Sequence, residues 1–216
     1  MKENSKQTKA WASEFGQEYT DRNMMDINAM DIIYKHRHGM SRSDMNKLFL
    51  DELDRDIRVL EVGSNIGLQL IFLQSAGFRN LYGIELSPYA VQLAKTQSEG
   101  INIIQGSALD IPFRDKYFDL VFTSGVLIHI NPEDLNKVMS EIYRCTSKYI
   151  WGLEYYADKM TEINYRPSKE NTNLLWKADY PTMFCDRFED LKIVKKAFYK
   201  YLADENKDVM YLLRKT

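Results

Sequence analysis

The sequence contains few cysteines and no long apolar run. Its two cysteines, Cys145 and Cys185, are far apart and form no Cys-x-x-Cys or Cys/His group, so we expect buried thiols and neither a metal site nor a disulfide framework. The longest apolar run, residues 126–130, is interrupted by His129 and is far shorter than the ~20 residues of a membrane span. Residues 1–10 are polar and lack the apolar centre of a signal peptide. These absences predict a cytoplasmic protein without a membrane partner.

Neither sign of charge is in excess. Lysine and arginine total 29 and aspartate and glutamate total 31, so the net charge of -2 provides no broad positive field for a nucleic acid. We therefore expect a small-molecule partner. The 216 residues, 44% hydrophobic and 28% charged, exclude general disorder and suit one folded domain over residues 1–216. They leave open whether the protein is a monomer or a homodimer.

The sequence pattern divides the chain into four segments. Residues 1–56 carry apolar side chains at helical spacing and predict a helical cap, whereas residues 57–154 alternate β-branched runs with helical stretches and predict five parallel strands. Residues 155–180 are polar, aromatic and too long for an ordinary connection, so we expect an insertion with a function. Residues 181–216 predict a short helix and an antiparallel strand pair. The expected fold class is α/β, with a seven-stranded, mostly parallel sheet.

Small and acidic residues follow the first two predicted strands. In a doubly wound sheet, ligands bind outside the carboxyl ends of the strands, where the strand order reverses. The loop from Glu61 to Gly67 is suited to a tight turn at a helix N-terminus, but a dinucleotide fingerprint would need glycine where Asn65 and Leu68 stand. Glu85 ends the second strand, where a carboxylate can accept two hydrogen bonds from a ribose diol. The pattern favours an adenosine ligand other than NAD.

Four segments in this order resemble class I S-adenosylmethionine-dependent methyltransferases: VLEVGSNIG, GIELS, IIQGSALDIPF and FDLVFTSGVLIHI. The resemblance covers residues 58–154 and the terminal strand pair. It implies a Rossmann-like fold, S-adenosylmethionine as cofactor and methyl transfer as activity. More narrowly, WASEFGQEYTDRN and LLWKADYPTMFCDRF resemble the small methylases associated with pseudaminic acid biosynthesis. In that comparison, Trp11, Tyr19, Arg22 and Asn23 belong to a helical lid over the cofactor.

The same resemblance implies which residues bind the cofactor. The glycine-containing loop would line the methionine part, with Glu61 at its amino group. Glu85 would hold the ribose, the loop around Ser107 the adenine, and Ser124 would lie near the sulfonium. Asn65 stands where these enzymes usually have a central glycine, and asparagine tolerates the left-handed conformation that such a turn needs. The full expected set is Tyr19, Glu61, Gly63, Ser64, Asn65, Gly67, Glu85, Leu86, Ser107, Ala108 and Ser124.

Candidates for catalysis and acceptor binding follow the fourth and fifth strands. His129 lies beside the expected methyl group, where it could act as a general base titrating near neutrality or satisfy a buried carbonyl. His36 and His38 lie in a basic KHRH patch and are expected at the surface. Aromatic and cationic residues of the insertion could fill a subsidiary core or bind an anionic sugar or nucleotide sugar. The expected acceptor-binding residues are Tyr155, Tyr165, Arg166, Trp176 and Lys177.

The function that these features favour is methyl transfer from S-adenosylmethionine to an oxygen or nitrogen of a small polar acceptor. The acceptor is expected to be an anionic sugar or nucleotide sugar of a nonulosonic acid or surface-glycan pathway. Sulfonium is a good leaving group, so the reaction requires no metal. The alternatives are a non-catalytic S-adenosylmethionine-binding module and an NAD-dependent oxidoreductase.

Overall fold

Four helices precede the sheet. The structure is a computed structural model that describes residues 6–164 and 174–216. Asp26 and Ser41 cap the third and fourth helices, because their side chains accept hydrogen bonds from backbone N–H groups three residues later. The helices are α1 (Lys6–Trp11), α2 (Glu14–Arg22), α3 (Ile27–His38) and α4 (Arg42–Leu50).

Strands and helices then alternate. Ser87 and Asn131 cap helices that begin with a proline, as the sequence pattern predicts. The elements are β1 (Arg58–Val62), α5 (Leu68–Ser75), β2 (Asn80–Glu85), α6 (Pro88–Gln97), β3 (Asn102–Gln105), β4 (Phe118–Ser124), a 3₁₀ turn (Leu127–His129), α7 (Pro132–Cys145), β5 (Thr146–Tyr155), β6 (Thr161–Glu162), β7 (Trp176–Lys177), α8 (Tyr180–Arg187), β8 (Leu191–Lys200) and β9 (Lys207–Lys215).

The main sheet has the strand order β3-β2-β1-β4-β5-β9-β8. The first five strands are parallel, and β9 is antiparallel to both β5 and β8. The predicted fold class is therefore confirmed. The strand order reverses between β1 and β4, so the loops that follow these two strands meet at one edge of the sheet. Because β9 is antiparallel, it begins at this same edge.

Apolar side chains cover both faces of the sheet. On one face, α7 and α8 contribute buried residues such as Val138, Ile142 and Phe184. On the other face, the helices α3 to α6 contribute residues such as Phe49 and Leu70. The sheet is thus the middle of three layers, which leaves its carboxyl edge as the place where loops converge.

Two local features differ from the sequence-based expectations. Part of the predicted insertion forms a small sheet, in which β6 pairs antiparallel with β7. The side chain of His38 is fully buried, with Nε2 lying 3.3 Å from Asp208 Oδ2, so the expected surface position of His38 is wrong. The thiol of Cys145 is buried, whereas that of Cys185 is partly exposed.

Within the two described ranges of the chain, no helix combines the length and the apolar composition of a membrane span.

Candidate functional site

A cavity of about 600 Å³ lies at the carboxyl edge of the sheet. Its floor consists of the loops that follow β1, β2, β3 and β4, together with the end of β5 and the start of β9. Helices α2 and α3 contribute to its opposite wall. The volume lies within the range of ~300–1,000 Å³ that is typical of small-molecule sites.

The loop after β1 packs closely against its neighbours. Gly63 has φ +74°, and a Cβ atom there would lie 2.7 Å from Val126 Cγ2 on the loop after β4. Gly67 has φ +82°, and a Cβ atom there would lie 2.6 Å from Ile103 Cδ1. Asn65 has φ +47°, the left-handed conformation that its identity suggested. The loop therefore presents backbone rather than side chains to much of the cavity.

Glu85 closes the end of β2 and lines the cavity with Leu86. Its two carboxylate oxygens accept backbone hydrogen bonds, Oε2 from Asn65 N at 2.9 Å and Oε1 from Ser87 N at 2.8 Å. Burial raises the pKa of Glu85, although these hydrogen bonds offset part of the shift. Each carboxylate oxygen retains a second lone pair. The geometry fits a carboxylate that binds both hydroxyls of a ribose.

Glu61 is a buried acid at the methionine side of the expected cofactor site. Its side chain is 2% exposed, and Oε2 has no hydrogen-bond partner in the described part of the chain. Burial raises the pKa of Glu61 well above the usual glutamate range, and the charge of Arg42 opposes this shift. The hydroxyl of Ser64 is likewise buried and unpartnered among the described residues. These unpartnered hydrogen-bond acceptors would suit a ligand whose amino group donates hydrogen bonds to them.

The loop after β3 forms a tight turn at the far side of the cavity. Leu109 N donates to Ser107 Oγ at 3.1 Å, and Asp110 N donates to Ser107 O at 3.1 Å. Ser107, Ala108 and Leu109 all line the cavity, as does Ser124 at the end of β4. The residues that the sequence assigned to the cofactor thus meet at the cavity with the exception of Gly67, which belongs to the loop after β1 but is outside the lining.

The N-terminal helices cover the cavity from above. The hydroxyl of Thr20 lies 2.9 Å from Asn65 Oδ1, and Tyr89 OH donates to Asp21 Oδ1 at 2.7 Å, so α2 is tied to the cofactor loops. Among the predicted lid residues, Trp11, Tyr19 and Asn23 line the cavity. Arg22 is outside the lining and pairs with Glu18 at 3.3 Å.

His129 is buried in the 3₁₀ turn and lines the cavity. Its ring centroid is 4.6 Å from that of Trp11, and its Nδ1 lies 2.8 Å from the backbone oxygen of Leu174. A carbonyl only accepts hydrogen bonds, so Nδ1 carries the proton and Nε2 is the basic nitrogen. Burial lowers the pKa of His129 to about 4, despite the hydrogen bond to Leu174. The expected titration near neutrality is therefore wrong, and the imidazole is neutral at pH 7.

Glu154 is a cavity residue that the sequence analysis did not select. It is 1% exposed at the end of β5, and its Oε1 accepts from Val126 N at 3.2 Å. Burial raises the pKa of Glu154 to about 7, whereas hydrogen bonds from Thr123 and from the backbone after β4 lower it. The sequence signal that could have identified Glu154 is an acid in the otherwise apolar strand sequence YIWGLEY. This carboxyl both holds the loop after β4 and faces the cavity.

The predicted acceptor-binding residues are only partly assembled at the cavity. Tyr155 lines it, whereas Trp176 and Lys177 do not, because they belong to the small β6–β7 sheet. Lys177 Nζ instead donates a hydrogen bond to the side chain of Asn206. Tyr165 and Arg166 lie outside the described residues.

Comparisons with known proteins agree with this geometry. A family described as "Methyltransferase domain" matches residues 60–149. The chain is 27% identical over 191 residues to a phosphoethanolamine N-methyltransferase of Plasmodium falciparum, with 71% of this chain and 72% of that protein covered. It is 25% identical to an O-methyltransferase of Aspergillus nomiae, covering 56% of this chain and 60% of that protein.

Solved structures show the same fold. The 1,6-didemethyltoxoflavin-N1-methyltransferase of Burkholderia thailandensis, solved with S-adenosylhomocysteine, superposes with a TM-score of 0.70 at 16% identity, covering 96% of this chain and 88% of that chain. Residues 60–149 therefore match a methyltransferase domain, and the similar sequences support an S-adenosylmethionine-dependent methyltransferase. These similarities imply S-adenosylmethionine as the cofactor, and the loops described above fit this molecule.

Proposed function

We propose that the protein transfers a methyl group from S-adenosylmethionine to an oxygen or nitrogen of a small polar acceptor bound at the β5–β9 end of the cavity. The continuity of the cavity carries this proposal, because one space extends from the Ser107 loop after β3 to Tyr155 on β5 and Asp208 on β9. Cofactor and acceptor would lie in the same enclosed space.

The strand order divides this space between the two ligands. The residues expected to bind adenine follow β3, the acid expected to bind the ribose ends β2, and the loop expected to bind the methionine part follows β1. The cofactor would therefore occupy the carboxyl edge of the sheet from β3 to β4. Neighbouring strands are ~4.8 Å apart, so β5 and β9 extend the site by roughly 10 Å. That length accommodates an acceptor of about one ring.

The residues of the chain align the reactants and take up a proton. S-adenosylmethionine supplies an activated methyl group when bound. The lid residues Trp11 and Tyr19 exclude water above the reacting atoms, and alignment within an enclosed site is the main requirement of such a transfer. The hydrogen bond to Leu174 leaves Nε2 of His129 as the basic atom, which would accept the proton that a hydroxyl or ammonium acceptor loses. Glu154 is a second candidate for this role.

The acceptor is proposed to be an anionic sugar or nucleotide sugar, as the resemblance to the pseudaminic acid methylases suggests. Tyr155, Tyr34 and Trp11 offer aromatic faces along the cavity on which a pyranose can pack. The Plasmodium relative is named for an N-methylation and the Aspergillus relative for an O-methylation, so both acceptor atoms are retained in the proposal.

The test is a methyl-transfer assay over a panel of sugars, nucleotide sugars, amines and phosphate esters, with formation of S-adenosylhomocysteine as the readout. We expect acceptor-dependent turnover. His129→Asn should lower turnover by ~10²–10⁴ while S-adenosylhomocysteine binds as in the wild type. His36→Asn is the matched control, because His36 is exposed and outside the cavity lining.

The outcomes separate the alternatives. S-adenosylhomocysteine binding without transfer to any member of the panel would support a non-catalytic binding module. If His129→Asn turns over as fast as the wild type, His129 is not the proton acceptor. Glu154→Gln would then be the variant that loses turnover. Preservation of turnover in both variants would contradict the proposed proton acceptors.

A further inference from the structure

Arg37 is the one lysine or arginine in the described lining of the cavity. It lies in the last turn of α3, and its backbone oxygen accepts a hydrogen bond from Leu202 N at 2.8 Å. Leu202 belongs to the turn between β8 and β9. This backbone hydrogen bond positions Arg37 against the edge of the sheet. Arg37 therefore lies at the same end of the cavity as Tyr155 and Asp208.

The guanidinium of Arg37 has aromatic neighbours but no acceptor. Its Cζ lies 5.7 Å from the ring centroid of Tyr34 and 5.4 Å from that of Tyr201. Within the described ranges, the Arg37 side chain makes no hydrogen bond and no ion pair within 4.0 Å. A guanidinium has five N–H donors, and aromatic faces orient its plane while leaving its edge for other partners. The donors of Arg37 thus remain available to a ligand.

Arg42, five residues further along the chain, has the opposite arrangement. It is fully buried in the core, its Nε donates to Asn46 Oδ1 at 2.8 Å, and one terminal nitrogen donates to Tyr34 OH at 3.3 Å. Arg42 is outside the cavity lining. The fold therefore provides acceptors for Nε and one terminal nitrogen of Arg42, though not for its other terminal nitrogen, and it provides none for the guanidinium of Arg37 among the described residues.

Asp208, the acid whose charge acts on Arg37, is engaged elsewhere. Asp208 Oδ2 lies 3.3 Å from His38 Nε2, and Oδ1 accepts from Tyr201 OH at 3.2 Å. Burial alone would lower the pKa of Arg37, but its tyrosine neighbours and Asp208 raise it overall, so the side chain is cationic. A partly buried cation without a contacting counter-charge is costly unless an anion binds.

We propose that the acceptor carries a carboxylate or phosphate group and that Arg37 binds this group. The assignment rests on the proposed methyl transfer. A carboxylate or phosphate can accept two hydrogen bonds from one guanidinium, which would fix the acceptor at its end away from the methyl group. The cation that selects the acceptor would thus come from the N-terminal cap and not from Lys177 of the insertion.

The test uses the full chain with ¹⁵N-labelled arginine, with and without S-adenosylhomocysteine. Inorganic phosphate and malonate are titrated separately, with sodium chloride at matched ionic strength as the baseline, and the arginine Nε–H resonances are recorded by NMR. We expect one resonance to shift to saturation with phosphate or malonate and not with chloride. Its absence from the spectrum of Arg37→Gln assigns it to Arg37. The two anions show whether the site prefers phosphate or carboxylate.

Isothermal titration supplies the second readout. Arg37→Gln should weaken binding of the preferred anion by about tenfold or more, whereas Arg22→Gln, a control outside the cavity lining, should leave it unchanged. Anion binding of equal strength in Arg37→Gln and wild type, or an Arg37 resonance that shifts with neither phosphate nor malonate, would overturn the proposal. Binding of S-adenosylhomocysteine in the same samples tests the proposed function separately, because Arg37 does not belong to the cofactor residues.

Discussion

At the residue scale, Glu61 is a carboxyl group in surroundings that disfavour its charge. Burial raises its pKa well above the usual range, and its Oε2 has no partner within the described chain. A bound ammonium group would favour the carboxylate and lower this pKa again. Over the pH range in which Glu61 titrates, binding of S-adenosylmethionine should therefore release protons, and the affinity should rise with pH.

Calorimetry in two buffers of different ionisation enthalpy measures this release directly. We expect a net release of protons by the wild type that is lost in Glu61→Gln. Glu162→Gln is a suitable control, because Glu162 is exposed and outside the cavity lining. Equal proton release by Glu61→Gln and wild type would show that another group ionises on binding.

Individual residues of the cavity were predictable where their type is tied to a local turn. Glu85 ends the second predicted strand and Asn65 lies in the loop after the first, so their position at the carboxyl edge follows from the periodicity alone. Arg37 and Glu154 were not predicted. The contact of Arg37 with the cavity depends on α3 meeting the β8–β9 turn, which is distant in sequence. Glu154 stands out as an acid in an apolar strand, but its hydrogen bond to the loop after β4 depends on the folded arrangement.

At the element scale, the loop after β1 requires glycine at position 63 for two reasons: a left-handed backbone conformation and a lack of space for a Cβ atom. Gly63 and Gly39 have similar φ values of +74° and +77°, but a Cβ atom at Gly63 would lie 2.7 Å from Val126 Cγ2, whereas one at Gly39 would meet nothing within 4 Å. Gly39→Ala should therefore cost only the left-handed strain of ~1–2 kcal/mol. Gly63→Ala should cost more and also weaken cofactor binding, because the loop must move.

Urea denaturation and S-adenosylhomocysteine titration of both variants test this prediction. The expected result is a larger loss of unfolding free energy for Gly63→Ala and a loss of affinity for that variant alone. Similar stability losses in the two variants, together with wild-type affinity for both, would contradict the steric role of Gly63.

Helix boundaries were the most predictable elements. Ser87 and Asn131 precede prolines, and this local chemistry placed the starts of α6 and α7 correctly. The β6–β7 pair was not predicted, since each strand has two residues and carries no measurable periodicity. Its formation explains why Trp176 and Lys177 do not line the cavity, although composition favoured them as ligands.

At the scale of the whole molecule, the strand order determines which loops and strand ends line the cavity. Alternating strands and helices predicted a parallel sheet with a terminal antiparallel pair, and the order β3-β2-β1-β4-β5-β9-β8 confirms it. The resemblance to the pseudaminic acid methylases implied a lid from the N-terminal cap, whereas only the folded arrangement brings the Arg37 side chain to the cavity. Sequence periodicity finds the cap helices but does not specify which face meets the sheet edge.

The central claim is that the loops after β1, β2 and β3 bind S-adenosylmethionine. Isothermal titration of S-adenosylhomocysteine into the wild type, Glu85→Ala and the exposed control Glu99→Ala tests it most directly, with NAD as a competing ligand. We predict one site per chain, unchanged affinity in Glu99→Ala, and a loss of ~1.5–3 kcal/mol, or about tenfold to a hundredfold, in Glu85→Ala. Binding of NAD in place of S-adenosylhomocysteine, or wild-type affinity in Glu85→Ala, would contradict the account.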